Sequence, residues 1–330
     1  MRDLSQLKAR LCGYLPDGDR IVTVKKLTAG HCNETYLLEG LNLILRVGGE
    51  VQGFLLEAHD LLTQARIMRE VHSSIEGPPI PAVVSVCDDL AVIGAPLFTM
   101  EFVDGVSFGD GRLVPWLREA DDRFRDQVVR EFVTNVANIH QLSPLKCLPP
   151  PVDPQDELKR WLRQAEVAED LDLVEVFSSL GEIRPMRSGS PTLVHGDAKP
   201  GNTLWREGRL VAFLDWELAF NGEPLTDLGY VLSFFKSDMH PAFLGCDLPG
   251  MWDKQAIVAC WEEETGRSAT GVEWYEARSS AMIAATLSLA LARHRSGEYK
   301  HEKMNPEDMA RLSEVRKRSV ALAKNFIENL

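Results

Sequence analysis

The feature that most constrains the fold is a change of pattern about a third of the way along this 330-residue chain. Before that point, short apolar and β-branched runs are separated by glycine, a pattern typical of antiparallel strands. Strands are predicted over 20–27, 34–40, 41–49, 82–86 and 96–103. Beyond them, apolar residues recur at helical spacing. The pattern therefore predicts an α+β fold with a β-rich lobe, residues 1–101, and a larger, mainly helical lobe, residues 102–330.

Helical periodicity marks one long helix in the first lobe and most of the second lobe. The long helix is predicted over 52–70, on an apolar stripe formed by Phe54, Ala58, Leu61, Leu62, Ala65 and Met68. A shorter amphipathic helix is predicted over 4–15. In the second lobe, helices are predicted over 122–142, 155–180, 224–236, 252–265, 272–295 and 306–329. Two such lobes leave a cleft between them, which is a natural ligand site.

The charge of the chain excludes some classes of partner. It carries 36 basic and 49 acidic side chains, a formal net charge of −13. This field repels nucleic acid and anionic membrane surfaces, so we expect neither as a partner. No apolar run reaches the roughly 18 residues of a membrane span, and the first residues lack the pattern of a signal peptide. We therefore expect a cytoplasmic protein.

The cysteines show neither a metal-binding nor a disulfide pattern. They are Cys12, Cys32, Cys87, Cys147, Cys246 and Cys260. No C-x-x-C pair occurs, and no group of cysteine and histidine has zinc spacing. We expect reduced, partly buried thiols.

A polar loop within the stretch "LVHGDAKPGNTLW", residues 193–205, is the strongest candidate for chemistry. Within eight positions it holds His195, Asp197, Lys199 and Asn202. Asp215 follows the apolar run "LVAFL" and begins "DWE". If the chain forms a hairpin between these segments, two carboxylates and an amide converge, and such oxygen donors suit Mg²⁺ rather than zinc. Each residue alone is typical of a turn or a cap, but the combination favours a metal and phosphate site.

The motifs "HGDAKPGN" and "FLDWE" together resemble the catalytic core of the aminoglycoside phosphotransferase and choline kinase superfamily. They also parallel the H-R-D-x-K-P-x-N and D-F-G motifs of protein kinases. The stretch "DWELAFNGEPLTDLGY", residues 215–230, is similar to the branch that includes the kinase-like domain of certain acyl-CoA dehydrogenase fusion proteins. The resemblance implies a bilobal, protein-kinase-like fold. It also implies Mg²⁺-dependent transfer of the γ-phosphate of ATP to a hydroxyl group of a small molecule.

The resemblance assigns roles to four side chains of the two motifs. Asp197 would accept the proton of the attacking hydroxyl, or at least orient that hydroxyl. Asn202 and Asp215 would hold Mg²⁺. Lys199 would touch the γ-phosphate as a point charge, or it would face solvent.

Three further residues near these motifs are expected to support the site. His195 is expected to hold the loop through hydrogen bonds rather than to act in acid–base catalysis. Asp227 is expected to steady the loop from the next helix. Glu217 stands where D-F-G has glycine, and it would either assist the metal through water or brace the loop.

In the first lobe, Arg46 lies near the end of the third predicted strand, where kinases carry a lysine that pairs with phosphates. Glu57 falls on the apolar stripe of the predicted helix, and a buried carboxylate needs a partner. Arg46 is the predicted partner of Glu57, which would form the strand-to-helix ion pair of kinases, and Glu50 is a second possible partner for the arginine.

Two segments of the first lobe are predicted to bind the nucleotide. The loop "TAGHCNETYLL", residues 28–38, would cover the phosphates with Gly30 and Asn33, although a plain hairpin turn would also fit. The stretch "TMEFVDG" resembles a kinase hinge, in which backbone groups of Glu101 and Val103 would bind adenine.

Other functions compatible with the motifs are a nucleotide-binding scaffold without turnover, a choline, ethanolamine or macrolide kinase, and a protein kinase. The scaffold is disfavoured because Asp197, Asn202 and Asp215 are all present. A protein kinase is disfavoured because the A-P-E motif and a long activation loop are missing. The dehydrogenase-linked resemblance favours a hydroxylated metabolite over an antibiotic as the acceptor.

Overall fold

The computed structural model describes residues 2–27, 33–48, 58–108, 114–235, 248–297 and 306–330. Five strands pair in one antiparallel sheet: β1 (Thr23–Leu27), β2 (Asn33–Glu39), β3 (Leu43–Gly48), β4 (Val83–Cys87) and β5 (Leu97–Glu101). Their order across the sheet is β1-β2-β3-β5-β4. The predicted five-stranded antiparallel sheet is confirmed.

The sheet lies between two helices, α1 (Leu4–Tyr14) and α2 (Leu61–His72). Successive side chains of a strand point to opposite faces of a sheet. On β3, Leu45 belongs to the buried cluster that contains the apolar residues of α1. Its neighbour Ile44 belongs to the buried cluster that contains those of α2. The two faces of β3 therefore contribute to two separate hydrophobic cores. The core that contains α2 also contains apolar residues of the second lobe, so α2 lies on the side of the sheet that faces this lobe.

The start of α2 differs from the prediction of a helix over 52–70. The helix begins at Leu61, and residues 58–60 are not helical. Asp60 is the N-cap, since its carboxylate accepts hydrogen bonds from the N–H groups of Leu62 and Thr63 at 2.9 and 3.0 Å. A cap satisfies the first free N–H groups of a helix, and apolar periodicity does not reveal where that happens. The earlier part of the predicted helix, residues 52–57, lies outside the described residues.

The second lobe is mainly helical, as predicted. The first lobe contains one more short helix, α3 (Leu90–Ile93). The helices of the second lobe are α4 (Pro115–Arg118), α5 (Asp122–Gln141), α6 (Pro154–Val167), α7 (Leu171–Glu182), α8 (Leu225–Phe235), α9 (Lys254–Thr265), α10 (Val272–Ser296) and α11 (Pro306–Glu328). The helical patterns predicted over 155–180 are confirmed, and they form two helices, α6 and α7. Glu169 is left-handed, with φ 54°, and Asp170 caps the second helix. None of the helices in the described ranges combines the length and apolar composition that crossing a membrane requires.

The centre of the second lobe is α8, in which every side chain is buried. Gly229 lets this helix approach α10 closely, since a Cβ at that position would lie 2.5 Å from the carbonyl carbon of Tyr275. A contact that short with backbone cannot be relieved by rotating a side chain. The close approach therefore fixes α8 rigidly among its neighbours.

Two small sheets connect α8 to the polar loop. One pairs β7 (Thr192–Val194) with β10 (Phe220–Gly222). The other joins β6 (Val106–Ser107), β8 (Thr203–Arg206) and β9 (Arg209–Phe213). The polar loop leaves β7 and enters β8, and the segment 214–219 runs from β9 to β10. The two segments with the candidate residues are consequently neighbours.

Candidate active site

Asp197 lies in the polar loop, residues 195–202, with both carboxylate oxygens hydrogen-bonded. Oδ1 accepts a hydrogen bond from the hydroxyl of Tyr230 at 2.7 Å. Oδ2 accepts one from Nδ2 of Asn202 at 2.8 Å, and Nζ of Lys199 lies 3.3 Å from the same oxygen. The carboxylate is therefore held in one orientation, while its side chain keeps 15% of its surface exposed.

Asn202 ends the loop in a single 3₁₀ turn. Its amide nitrogen donates to the backbone carbonyl of Asp197 at 2.9 Å as well as to the carboxylate. The amide oxygen accepts no hydrogen bond within the described ranges. That oxygen is the atom of Asn202 left to bind a cation.

Asp215 is brought to the loop by its neighbour Leu214. The backbone N–H of Leu214 donates to the carbonyl of Asn202 at 2.8 Å, and its carbonyl accepts from Nε2 of His195 at 2.9 Å. Asp215 itself has φ 67° and ψ 58°, a left-handed conformation that aspartate tolerates better than most residues. The predicted hairpin thus exists: Asn202 is hydrogen-bonded to Asp197, and Asp215 directly follows a residue whose backbone is hydrogen-bonded to Asn202 and His195.

The backbone of the polar loop is anchored by Asp227 of α8. Its carboxylate accepts hydrogen bonds from the N–H groups of His195 and Gly196 at 2.7 and 2.9 Å. Burial opposes ionisation of this carboxyl, but hydrogen bonds from His140 and the loop outweigh it and lower its pKa. The predicted bracing position of Asp227 is what the structure shows.

A second layer holds Asp227 itself. Nε2 of His140, on α5, lies 3.1 Å from the Asp227 carboxylate, and Nε1 of Trp261, on α9, donates to Nδ1 of His140 at 2.8 Å. Because Nδ1 accepts, the proton of this imidazole is assigned to Nε2, which donates to Asp227. Three helices therefore converge on one buried carboxylate.

His195 uses both ring nitrogens inside the protein. Nε2 bonds the carbonyl of Leu214, and Nδ1 accepts from the N–H of Asp197 at 3.2 Å. Its ring centroid lies 5.0 Å from that of Phe213 and 4.5 Å from that of Trp216. Burial lowers the pKa of His195. A neutral imidazole with no free nitrogen braces the loop, as the sequence predicts.

Acidification from about pH 7.5 to about pH 5.5 is expected to reduce the free energy of unfolding through His195, by at most about 1.4 kcal/mol per pH unit. The lowered pKa means that the folded chain keeps the ring neutral, while the unfolded chain takes up a proton below about pH 6.5. The stabilisation present above that pH is therefore lost as the pH falls. Urea unfolding at both pH values measures it.

In the same experiment, His195→Gln should lose less stability on acidification than the unsubstituted chain. His72→Gln, at an exposed histidine, is the matched control and should follow the unsubstituted chain. An equal pH-dependent loss in the chain with His195→Gln would contradict the expected outcome.

The sequence matches a known protein family. The model of the phosphotransferase enzyme family matches residues 23–245, more than half of the chain. The chain belongs to the phosphotransferase enzyme family. Membership in this family confirms the resemblance predicted from the motifs.

This member of the phosphotransferase enzyme family is similar to parts of larger proteins. Acyl-CoA dehydrogenase family member 11 of Homo sapiens is 27% identical over 247 residues, which cover 69% of this chain and 30% of the human protein. Family member 10 of Mus musculus is 27% identical over 229 residues, which cover 66% of this chain and 21% of the mouse protein. The chain thus spans less than a third of the length of these relatives, and the predicted resemblance to the dehydrogenase-linked branch is confirmed.

Solved structures with the same fold include aminoglycoside phosphotransferases. A candidate aminoglycoside phosphotransferase from Ralstonia eutropha matches with a TM-score of 0.76 and 23% identity, covering 98% of both chains. APH(2″)-IIa, in a ternary complex with streptomycin and ATP, matches with a TM-score of 0.60 and 14% identity, covering 92% of this chain and 93% of that one. At such identities the likeness shows the fold, and the predicted kinase-like fold is confirmed.

Arg46 of the first lobe reaches the site of this phosphotransferase family member from β3. Its Nη2 lies 3.8 Å from Oδ1 of Asp215, which is too long for a hydrogen bond. Its Nε is buried and has no hydrogen-bond partner in the part of the chain that is described. The predicted partner Glu57 and the alternative Glu50 lie outside the described residues, so the strand-to-helix ion pair stays a prediction.

The segments predicted to bind the nucleotide are only partly described. Gly30 lies outside the described residues, and Asn33 is the first residue of β2, paired with Gly48. The N–H of Glu101 donates to the carbonyl of Ala82 at 2.9 Å, so it is not available to adenine. The carbonyl of Glu101 and the backbone of Val103, which follows β5, are the hinge groups left for that role.

Helix α2 connects the two lobes at the site. The N–H of His59, just before the helix, donates to the carbonyl of Glu217 at 2.7 Å, and its Nε2 lies 2.6 Å from the carbonyl of Ala219. At the other end, the Glu70 carboxylate accepts from the N–H groups of Lys146 and Cys147 at 2.7 and 3.1 Å. These contacts set the position of the "DWE" segment relative to the sheet.

A cavity of about 30 Å³ lies beside Gly196 and Leu218. Its charged and aromatic lining consists of His59, Glu157, Arg160, Trp161, Phe220 and Arg278. Nε of Arg278 donates to Oε2 of Glu157 at 3.0 Å, and Nε1 of Trp161 donates to Oε1 at 2.5 Å. The cavity adjoins the polar loop through Gly196.

Sequence reasoning missed Tyr230, His140, Trp261 and His59. Tyr230 follows Asp227 by three residues, a spacing that puts both on one face of a helix, so a signal for it existed. His140 and Trp261 are separated from their partners by 87 and 121 residues. No local pattern could have paired them.

Proposed function

We propose that this chain is an ATP- and Mg²⁺-dependent kinase that transfers the γ-phosphoryl group to a hydroxyl of a small molecule. The observation that carries the proposal is the hydrogen bond between Asn202 and Asp197, together with the backbone hydrogen bond from Leu214 to Asn202 that brings the neighbouring Asp215 to the same loop. Membership in the phosphotransferase enzyme family supports transfer of a phosphoryl group. The complex of APH(2″)-IIa with ATP supports ATP as the donor.

In the proposed reaction, the residues of this chain align the acceptor and hold charge. The acceptor hydroxyl would donate its hydrogen bond to Asp197, and that carboxylate would take the proton as the new P–O bond forms. The bond between the γ-phosphorus and the bridging oxygen breaks, and ADP leaves. Lys199, with its ammonium beside Asp197, would contribute positive charge near the transferred group. Most of the rate enhancement would come from this alignment and from charge stabilisation.

The residues at the site fit Mg²⁺. Within the described residues, the amide oxygen of Asn202 accepts no hydrogen bond. The carboxylate of Asp215 lies 3.8 Å from Nη2 of Arg46, a distance too long for a hydrogen bond. In those residues no cluster of three or more His, Cys, Asp or Glu exists that would form an all-protein cage. Mg²⁺ typically takes one or two protein carboxylates and keeps water and phosphate as its other ligands. When bound by Asn202 and Asp215, it would neutralise charge on the β- and γ-phosphates.

Arg46 is proposed to bind the phosphates of the nucleotide. Its guanidinium lies at the cleft side of β3 near Asp215, and its Nε has no partner in the described residues. An unpartnered buried donor is unfavourable by roughly 1–3 kcal/mol. A phosphate oxygen would satisfy it, and the fork of an arginine suits phosphate geometry.

The side chains beside the polar loop favour a hydroxylated metabolite over a polycationic aminoglycoside as the acceptor. Two arginines, Arg160 and Arg278, line the cavity beside the polar loop, and the only carboxylate among the described lining residues, Glu157, is paired with Arg278. The described lining therefore offers no unpaired carboxylate to bind the ammonium groups of an aminoglycoside. The metabolite acceptor is also consistent with the acyl-CoA dehydrogenase relatives.

Mg²⁺-dependent release of ADP, measured with a panel of hydroxylated compounds, tests the function. The panel should include hydroxylated metabolites, amino alcohols such as choline and ethanolamine, a macrolide and an aminoglycoside. Acceptor-stimulated ADP release that disappears with EDTA is expected. ATP binding without ADP release for any acceptor would instead indicate a nucleotide-binding scaffold.

Asp215→Ala is expected to weaken Mg²⁺-dependent ATP binding, because the substitution removes the only carboxylate proposed to hold the ion. Calorimetric titration of ATP with and without Mg²⁺ measures the effect. In the unsubstituted chain Mg²⁺ should tighten ATP binding, and in the chain with Asp215→Ala this gain should shrink by about tenfold or more. An unchanged gain would refute the metal role of Asp215.

A further inference from the structure

The two oxygens of the Asp197 carboxylate have different surroundings. Oδ2 already accepts from Nδ2 of Asn202 and has Nζ of Lys199 at 3.3 Å. Oδ1 accepts only from the hydroxyl of Tyr230, at 2.7 Å, among the residues that are described. A carboxylate oxygen offers about two acceptor sites. One site on Oδ1 is therefore open, while those on Oδ2 are filled.

We propose that Tyr230 is a positioning residue for phosphoryl transfer and that Oδ1 of Asp197 is the oxygen that receives the acceptor hydroxyl. This inference rests on the proposed kinase function. The Tyr230 hydroxyl occupies one acceptor site of Oδ1 and fixes the rotation of the carboxylate. The attacking hydroxyl takes the remaining site on Oδ1, next to the tyrosine oxygen, and donates its proton there as the P–O bond forms.

The surroundings of Tyr230 make it a rigid support. The side chain is only 5% exposed, and its ring meets that of Phe234 edge to face at a centroid distance of 5.0 Å. It lies on α8, which is buried along its whole length. A tyrosine held in this way loses little entropy when it orients another group, since its rotation is already restricted.

The same helix controls both parts of the polar loop. Asp227 binds the backbone N–H groups at the start of the loop, and Tyr230, one turn later on the same face, binds the carboxylate of Asp197. The backbone contact sets where the loop lies, and the side-chain contact sets which way Asp197 points. If the hydroxyl of Tyr230 is removed, the loop should stay in place while the carboxylate turns toward Lys199.

Tyr230→Phe tests this inference, with Tyr275→Phe as the matched control. Both substitutions remove one hydroxyl from a buried tyrosine of the same lobe, and each hydroxyl donates one hydrogen bond of 2.7 Å. The hydroxyl of Tyr275 binds the carbonyl of Met186, away from the polar loop. Loss of a buried hydrogen bond is therefore common to both variants, and loss of contact with Asp197 is specific to Tyr230→Phe.

The measurements are kcat and KM for ATP by ADP release, together with urea unfolding. We expect Tyr230→Phe to lower kcat by roughly 10- to 100-fold, because small misalignments of reacting groups have effects of that size. KM for ATP should stay within about twofold, since the Tyr230 hydroxyl is not among the groups proposed to bind the nucleotide. Tyr275→Phe should keep its kcat, and both variants should lose similar stability. Fluorotyrosine at position 230, which keeps the hydroxyl, should restore kcat.

Equal kcat in the two variants would overturn the inference and leave the proposed function intact. An unfolded chain with Tyr230→Phe beside a folded one with Tyr275→Phe would also overturn it, because Tyr230 would then be a stability residue. Failure of fluorotyrosine to restore kcat would have the same consequence. Absence of acceptor-dependent ADP release from the unsubstituted chain is a different result, which refutes the proposed function.

Discussion

Asp197→Asn is expected to lower kcat by about 10²- to 10⁴-fold, the usual contribution of a group that accepts a proton in the transition state. Asparagine has nearly the same shape as aspartate, but it carries no charge and cannot take the proton. The hydroxyl of Tyr230 can still donate to the amide oxygen, so the loop should keep its place. The amide nitrogen then faces two donors, Nδ2 of Asn202 and Nζ of Lys199, so the free energy of unfolding should fall by about 1–3 kcal/mol. ATP affinity should change little, and urea unfolding and calorimetric titration would establish both.

Asp126→Asn is the matched control for this substitution. Asp126 is also partly buried in the second lobe, and its carboxylate accepts a side-chain hydrogen bond from Trp252 at 2.7 Å. Conversion of that carboxylate to an amide should leave kcat unchanged. Retention of kcat by the chain with Asp197→Asn would exclude Asp197 as the proton acceptor, and loss of folding would show that its main role is structural.

Asp227→Ala is expected to have the largest effect on stability. The substitution leaves the N–H groups of His195 and Gly196 and Nε2 of His140 without their acceptor, all of them buried. Each unsatisfied buried donor is unfavourable by about 1–3 kcal/mol. We expect the free energy of unfolding to fall by at least about 3 kcal/mol, and kcat to fall with it because the polar loop loses its anchor.

The pH dependence of stability separates this effect from simple loss of packing. Hydrogen bonds lower the pKa of Asp227 in the folded chain, against the opposing effect of burial. A group with a lowered pKa stabilises the fold above its unfolded value, about pH 4, and this stabilisation is lost as the pH falls further. The chain with Asp227→Ala should therefore show a weaker decline of stability in that acid range.

Asp253→Ala is the control for Asp227→Ala. Asp253 caps α9 and accepts a hydrogen bond from the N–H of Ala256 at 2.9 Å, at an exposed position. Loss of such a cap destabilises by about 1 kcal/mol and should not change kcat. A chain with Asp227→Ala that resembles this control would show that the anchor of the loop lies elsewhere.

Both expected results depend on α8 as the support of the site. The helix presents Asp227 to the loop backbone and Tyr230 to the Asp197 carboxylate. Its close packing against α10 at Gly229 prevents it from shifting. The precision of a phosphoryl-transfer site depends on such rigid support, because the chemistry needs alignment more than covalent participation.

The sequence by itself determined the family, the β-rich first lobe with its five-stranded sheet, and the helices of the second lobe. Local patterns predict these features: runs of β-branched and apolar residues separated by glycine, apolar residues at helical spacing, and the motifs "HGDAKPGN" and "FLDWE". Asp197 and Asn202 are five residues apart, so one loop suffices to pair them. Features of this kind need only short-range interactions, which a sequence displays directly.

Only the tertiary structure decided where α2 begins, where the stretch 155–180 divides, and what holds the polar loop. The start of α2 depends on one capping carboxylate, Asp60. The support of Asp227 by His140 and of His140 by Trp261 spans 87 and 121 residues. Such contacts form because a buried polar group must find a partner wherever packing brings one. The packing of three helices, which no local pattern encodes, selected these partners.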